Sequence, residues 1–148
     1  MNGSSQRPLD ILLVEDNLAH AELIKRCFKQ HRAAHRVQHL VDGQQAIDYL
    51  LGVGEYADRE RFPLPHCILL DLRLPKVDGL EVLRIIKTSP GIKRIPTIVL
   101  TTSATEQDVA RAYAYRANSY VVKPIDFDKF ATLIDDLGSY WMMWNHNP

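Results

Sequence analysis

The sequence predicts a doubly wound α/β domain on a five-stranded parallel sheet. Three observations carry this. Five short apolar runs recur along the 148 residues, a helical pattern or a loop separates each run from the next, and the composition, 46% hydrophobic and 24% charged, is that of a globular domain. The runs, at residues 11–14, 37–41, 67–70, 97–100 and 120–122, are too short for helices. Four are nearly continuous and rich in Val, Ile or Leu, as strands covered on both faces are. Val37, His39 and Val41 instead alternate with more polar neighbours, the pattern of an edge strand.

The helices follow in order. Ala21, Ile24, Cys27 and Phe28 recur at helical spacing behind Asp16 or Asn17, either of which suits the N-cap. Asp42 and Gly43 break the second strand, and Ala46, Ile47, Leu50 and Leu51 give a short amphipathic helix. Leu80, Leu83 and Ile86 build a third helix after Gly79, stopped by Pro90 and Gly91. Ser103 with Glu106 is a capping-box signature ahead of a fourth helix, from Thr105 to about Ala114. The fifth is the longest, with Phe127, Phe130, Leu133, Ile134, Leu137, Trp141 and Trp144 in one stripe. Segment 52–61 makes its link longer than the usual span of about two to six residues, and it reads as a surface excursion in which Arg59, Glu60 and Arg61 form either a solvated turn, the favoured reading, or a partner-reading surface.

This length holds one domain, expected over residues 9–137, with a disordered extension at 1–8 and an aromatic helix extension and tail at 138–148. Eighteen basic residues balance 18 acidic ones, so no net field favours nucleic acid or an anionic membrane surface. No run approaches the roughly 20 apolar residues of a membrane span, and a cytoplasmic location is expected. Cys27 and Cys67 read as buried small hydrophobes, with no disulfide, and the six histidines show no metal-ligand spacing.

In an open parallel sheet, ligands bind beyond the carboxyl ends of the strands, so the residues that end each run are the informative ones. They are strongly polar: Glu15 and Asp16 after the first run, Asp71 after the third, Thr101 and Thr102 after the fourth, Lys123 and Pro124 after the fifth. Carboxylates gathered at one edge repel, each pair by roughly 4 kcal/mol at about 4 Å and an effective dielectric near 20. A cation must share the site. Hard oxygen ligands without thiolate or imidazole favour Mg2+, with open positions for water and phosphate oxygens. A carboxylate there can become an acyl phosphate, the Thr101 hydroxyl can bond a phosphoryl oxygen, and the Lys123 ammonium can neutralise another.

Glu15 and Asp16, Asp71 within 68–75, Asp78 and Gly79, Thr101, and Lys123 with Pro124 resemble, in order and spacing, the receiver domain of two-component response regulators. The resemblance runs from Asp10 to about Leu137. It implies a flavodoxin-like receiver fold, strand order 2-1-3-4-5 with five helices, and a phosphoacceptor rather than a turnover enzyme. Asp71 would accept phosphate from a sensor histidine kinase. Glu15 (through water), Asp16, Asp71 and the backbone carbonyl of Arg73 would hold Mg2+. Thr101, Thr102 and Lys123 would contact the phosphoryl group, Thr101 and Tyr120 would form the switch, and Pro124 would follow a cis bond. The long 52–65 region and the wording at 100–103 are similar to small response regulators partnered with cyanobacterial phytochromes, which makes a phytochrome-type kinase the expected partner. Tyr140, Trp141 and Trp144 are the expected contact of a homodimer, because the tail holds more large apolar residues than one face can bury.

Two other readings compete. A Mg2+-dependent phosphohydrolase also uses a strand-end Asp, but its motif needs a second Asp two positions on, where this chain has Arg73. An adaptor acting through the aromatic tail alone would not depend on Asp71.

Overall fold

The computed structural model describes residues 9–29, 35–101, 119–122, 128–129 and 132. All five apolar runs are strands: β1 (Leu9–Val14), β2 (His35–Leu40), β3 (Cys67–Asp71), β4 (Thr97–Thr101) and β5 (Ser119–Val122). Every pairing is parallel and the order is β2-β1-β3-β4-β5, as expected. Three helices intervene: α1 (Leu18–Lys29), α2 (Gly43–Leu51) and α3 (Gly79–Thr88). The fourth helix and the 1–8 and 138–148 segments lie outside the described residues; of the fifth helix, Asp128, Lys129 and Thr132 are described and helical.

Strand residues alternate between two cores because successive side chains point to opposite faces. Leu12, Val14, Ile68, Leu70 and Val99 pack with the buried residues of α2 and α3, among them Ala46, Leu50, Val82, Leu83 and Ile86. Ile11, Leu13, Leu69, Ile98 and Leu100 pack with Ala21, Ile24 and Phe28 of α1. Covering both faces is what makes the central runs read as unbroken apolar sequence.

Of the two N-cap candidates, Asn17 caps α1, its Oδ1 accepting from the His20 amide at 3.0 Å. The structure departs from the sequence reading at other points. Edge strand β2 stops at Leu40, which is buried, and Val41 lies beyond it and exposed. In α2 the buried residue after Ala46 is Tyr49, while Leu51 is 48% exposed.

Segment 52–65 is anchored to the core by some of its residues, while others, Glu60 and Arg61 among them, are exposed as expected. A Schellman motif ends α2: the Gly52 N–H donates to Tyr49 O (3.2 Å) and the Val53 N–H to Asp48 O (3.0 Å), with Gly52 at φ 67°. Arg59 is no solvated turn residue. Its Nη1 donates to Tyr49 O (2.8 Å) and Phe62 O (3.2 Å), and its Nη2 to Leu50 O (2.8 Å). Leu50 O is one of the last carbonyls of α2, which a helix end leaves without intrahelical partners, while Tyr49 O accepts from both Gly52 and Arg59 and Phe62 O lies outside the helix. A Cβ on Gly52 would sit 2.7 Å from that guanidinium. Tyr49, Tyr56 and Phe62 form an aromatic cluster with centroids 5.1–6.0 Å apart, and the Tyr49 hydroxyl donates to Pro63 O at 2.8 Å.

Candidate acidic site at the carboxyl edge of the sheet

β1 and β3 are adjacent and in register, Val14 opposite Leu70, so the residues after each meet at one edge. Glu15, Asp16 and Asp71 each place a carboxylate oxygen within 4.8 Å of the others. Glu15 is fully buried, Asp71 is 4% exposed, and Asp16 faces solvent.

Several bonds fix this geometry. Glu15 continues the line of β1 with its N–H on Leu40 O (3.0 Å), and its own carbonyl accepts from Nε2 of His39 (2.7 Å), which places that ring's proton on Nε2. Its carboxylate accepts from the Asn17 amide (3.3 Å) and lies 3.9 Å from His20 Nδ1. Asp71 accepts at Oδ1 from the Arg73 amide (3.0 Å), while the Leu72 amide donates to Leu100 O (3.0 Å), tying the end of β3 to β4. The loop then closes on itself: Gly79 donates to Leu72 O (3.0 Å), and a Cβ there would stand 2.2 Å from Asp71 O. Only glycine fits. Asp78 caps α3 through the Leu80 amide at 2.9 Å.

The donor set suits a hard divalent ion. Three carboxylate oxygens lie within 4.8 Å of one another with two of the residues buried, the all-oxygen donor set that Mg2+ prefers. Charge balance points the same way, because a buried carboxylate cluster is strongly disfavoured without a cation. Among the described residues, no other group of three His, Cys, Asp or Glu is placed to hold a metal.

Thr101 ends β4 one residue past Leu100, the register partner of Asp71, and is itself opposite Val122 on β5; Tyr120 pairs with Val99. Their backbone positions lie at the acidic edge and one turn of register below it. Thr102, Lys123 and Pro124, and Tyr140, Trp141 and Trp144 in the tail, lie outside the described residues. The sequence reading missed His39 and His20 as supports of Glu15. Metal-ligand spacing was the wrong signal for them, since they act on a neighbouring strand end and one helical turn away.

A family model for the response regulator receiver domain matches residues 11–135. The chain belongs to that family. This receiver domain is 46% identical over 144 residues to the probable methanogenesis regulatory protein FilR2 of Methanothrix harundinacea, covering 97% of this chain and 90% of that one. It is 41% identical to response regulator Rcp1 of Synechocystis over 142 residues, 96% and 95% of the two chains. The solved structure of the phosphorylated cyanobacterial phytochrome response regulator RcpA superposes with a TM-score of 0.79 at 38% identity, covering 92% of this chain and 95% of that one. The Mn2+-bound form of Rcp1 gives 0.78 at 42%, covering 90% and 94%. No helix among the described residues is long and apolar enough to cross a membrane.

Proposed function

We propose that this receiver domain is a phosphorylation-dependent response regulator in which Asp71 takes a phosphoryl group from the phosphohistidine of a sensor kinase. The observation that carries the reading is the gathering of Glu15, Asp16 and Asp71 at the carboxyl edge of the sheet, with Asp71 nearly buried and oriented by the Arg73 amide. An Asp71 carboxylate oxygen attacks phosphorus. The P–N bond breaks, its electron pair leaves with the imidazole nitrogen, and an acyl phosphate results.

Asp16, Asp71 and the Arg73 carbonyl would hold Mg2+, with Glu15 acting through water, and the ion would supply charge neutralisation for the phosphoryl oxygens. Thr101, Thr102 and Lys123 contact the oxygens of the phosphoryl group carried by Asp71. Drawing Thr101 toward the phosphoryl group shifts a two-state equilibrium that includes Tyr120 and alters the surface presented to partners.

The output is a protein contact. Similarity to Rcp1 and RcpA supports a phytochrome-type kinase as the phosphodonor. Tyr140, Trp141 and Trp144 are assigned to contact between two copies.

Incubation with acetyl phosphate and Mg2+ tests the reading. Wild type gains one phosphate-mass adduct that maps to Asp71, and Asp71→Asn gains none. Labelling retained in Asp71→Asn refutes the assignment, and continuous release of phosphate from simple esters favours the hydrolase instead. Equal partner binding by wild type and Asp71→Asn favours the adaptor.

A further inference from the structure

The loop that carries Arg73 makes an unusual turn. Val77 donates its N–H to Pro75 O (2.8 Å) across Lys76, whose φ is 68°. This hydrogen bond between residues two apart, with positive φ at the centre, is the pattern of a strained γ-turn. Lys76 is the one non-glycine with positive φ among the described residues. Such a conformation persists only where the surroundings over-determine it.

Those surroundings come from the turn after β2. The Gly43 amide donates to the same Pro75 carbonyl at 3.2 Å. Asp42 is 5% exposed; its Oδ1 caps α2 through the Gln45 amide (2.8 Å), and its Oδ2 lies 3.7 Å from Lys76 Nζ. Gly43 is seated so tightly that a Cβ would fall 1.9 Å from Val77 O. The loop is also pinned at its base, where Gly79 donates to Leu72 O. A push at Val77 must therefore be absorbed between Arg73 and Asp78. Within that stretch, only Leu74 separates Arg73, whose amide orients Asp71, from Pro75, whose carbonyl Gly43 holds.

We propose that Gly43, assisted by Asp42, is a positioning residue: it holds the γ-turn at Lys76 and thereby sets the Arg73 backbone that orients the Asp71 carboxylate and serves the ion. This inference rests on the reading of Asp71 as the phosphoacceptor. Neither residue touches the reacting groups. Gly43 opens α2 with no positive φ to satisfy, so alanine there meets no left-handed backbone penalty and acts as a wedge against Val77, which supplies the three nearest atoms.

The test is Mn2+ affinity, read by electron paramagnetic resonance, together with amide exchange at Arg73, in wild type, Gly43→Ala, Asp42→Asn and Gly91→Ala. Gly91 has open space around it and serves as the control. Gly43→Ala is expected to weaken Mn2+ by roughly tenfold, as loss of an outer support of a metal site does, and to speed Arg73 exchange similarly, with β3 protection and helical circular dichroism unchanged. Asp42→Asn keeps the helix cap and loses the charge facing Lys76, so a rise in Kd of about twofold is expected. Gly91→Ala matches wild type. A folded Gly43→Ala with wild-type Mn2+ affinity and Arg73 exchange overturns the proposal, and if that variant does not fold, an unchanged Kd in Asp42→Asn does so. Absence of Mn2+ binding by wild type overturns the reading of the site itself and the proposal with it.

Discussion

The guanidinium of Arg59 and the backbone of Tyr49 are joined at 2.8 Å, and through this bond the long segment before β3 closes the end of α2. Two further carbonyls, of Leu50 and Phe62, share the same side chain. One residue thus completes a helix terminus and fixes the aromatic cluster of Tyr49, Tyr56 and Phe62. The segment is a folded part of the domain, far from the acidic edge in function though continuous with its core.

Replacing Arg59 by alanine should therefore cost stability and leave ion binding alone. Hydrogen bonds from a charged donor contribute more than neutral ones, and stranding carbonyls at a helix end adds a desolvation penalty, so a loss of about 2–3 kcal/mol is expected in urea denaturation. Arg59→Lys should recover little, because an ammonium lacks the planar fork that reaches several carbonyls at once. A weakened Mn2+ affinity in folded Arg59→Ala would contradict this separation.

The carboxylates at the sheet edge give a second expectation. An ion that binds only the folded chain adds about 2.7 kcal/mol at a hundred times its Kd, on the order of 5–10 °C in Tm for a domain of this size. Calorimetry with and without Mg2+ should show an increase of that order. Asp16→Asn should shrink the increase while raising the Tm of the ion-free protein, since it removes one of the repelling charges near Glu15 and Asp71. A response to Mg2+ equal to wild type would remove Asp16 from the ion site.

How far the sequence anticipated this structure depends on what kind of partner each residue has. The strands were legible because two-sided burial leaves a continuous apolar run, and Glu15, Asp16 and Asp71 because a carboxylate ending such a run has no packing reason to be there. The nine residues of α2 make too few turns to separate a stripe ending at Leu51 from one passing through Tyr49, and the hydroxyl that decides the matter bonds to Pro63, a residue outside the helix. Arg59 was illegible for a simpler reason. Its partners are backbone carbonyls, which every residue has, so no pairing of side-chain types betrays them. Lys76 lacked the glycine that usually announces positive φ, because its turn is held from the Asp42 and Gly43 side.

Both cysteines should be inert in the native state. Cys27 and Cys67 are buried and free, burial raises the pKa of each, and that of Cys67 is pushed up to about 12. Only the thiolate reacts, and at pH 8 a thiol of pKa 12 is ionised to roughly one part in ten thousand. Labelling by a disulfide reagent should then follow the opening of the fold and accelerate with urea. Modification of Cys67 within seconds in native buffer would show that β3 is not closed as described.

At the opposite end of the sheet, His66 makes stability depend on pH. Its Nδ1 accepts from the Asp10 amide at 2.9 Å, so that nitrogen must be unprotonated, and its own amide donates to Asp10 O at 2.7 Å. Burial is the main cause that lowers its pKa below 6.5; the Asp10 carboxylate opposes that and Arg36, paired with Asp10, reinforces it. With the folded-state pKa depressed, the unfolded chain binds more protons in this range, so stability rises with pH. The contribution is complete above about pH 6.5 and is lost as pH falls from there through the folded-state pKa. His66→Asn keeps an acceptor for the Asp10 amide and does not titrate. Urea midpoints from pH 5 to 8 should therefore fall more steeply toward acid in wild type than in His66→Asn, with the two curves running parallel above pH 7. Parallel curves over the whole range would show that the His66 ring carries no part of the acid sensitivity.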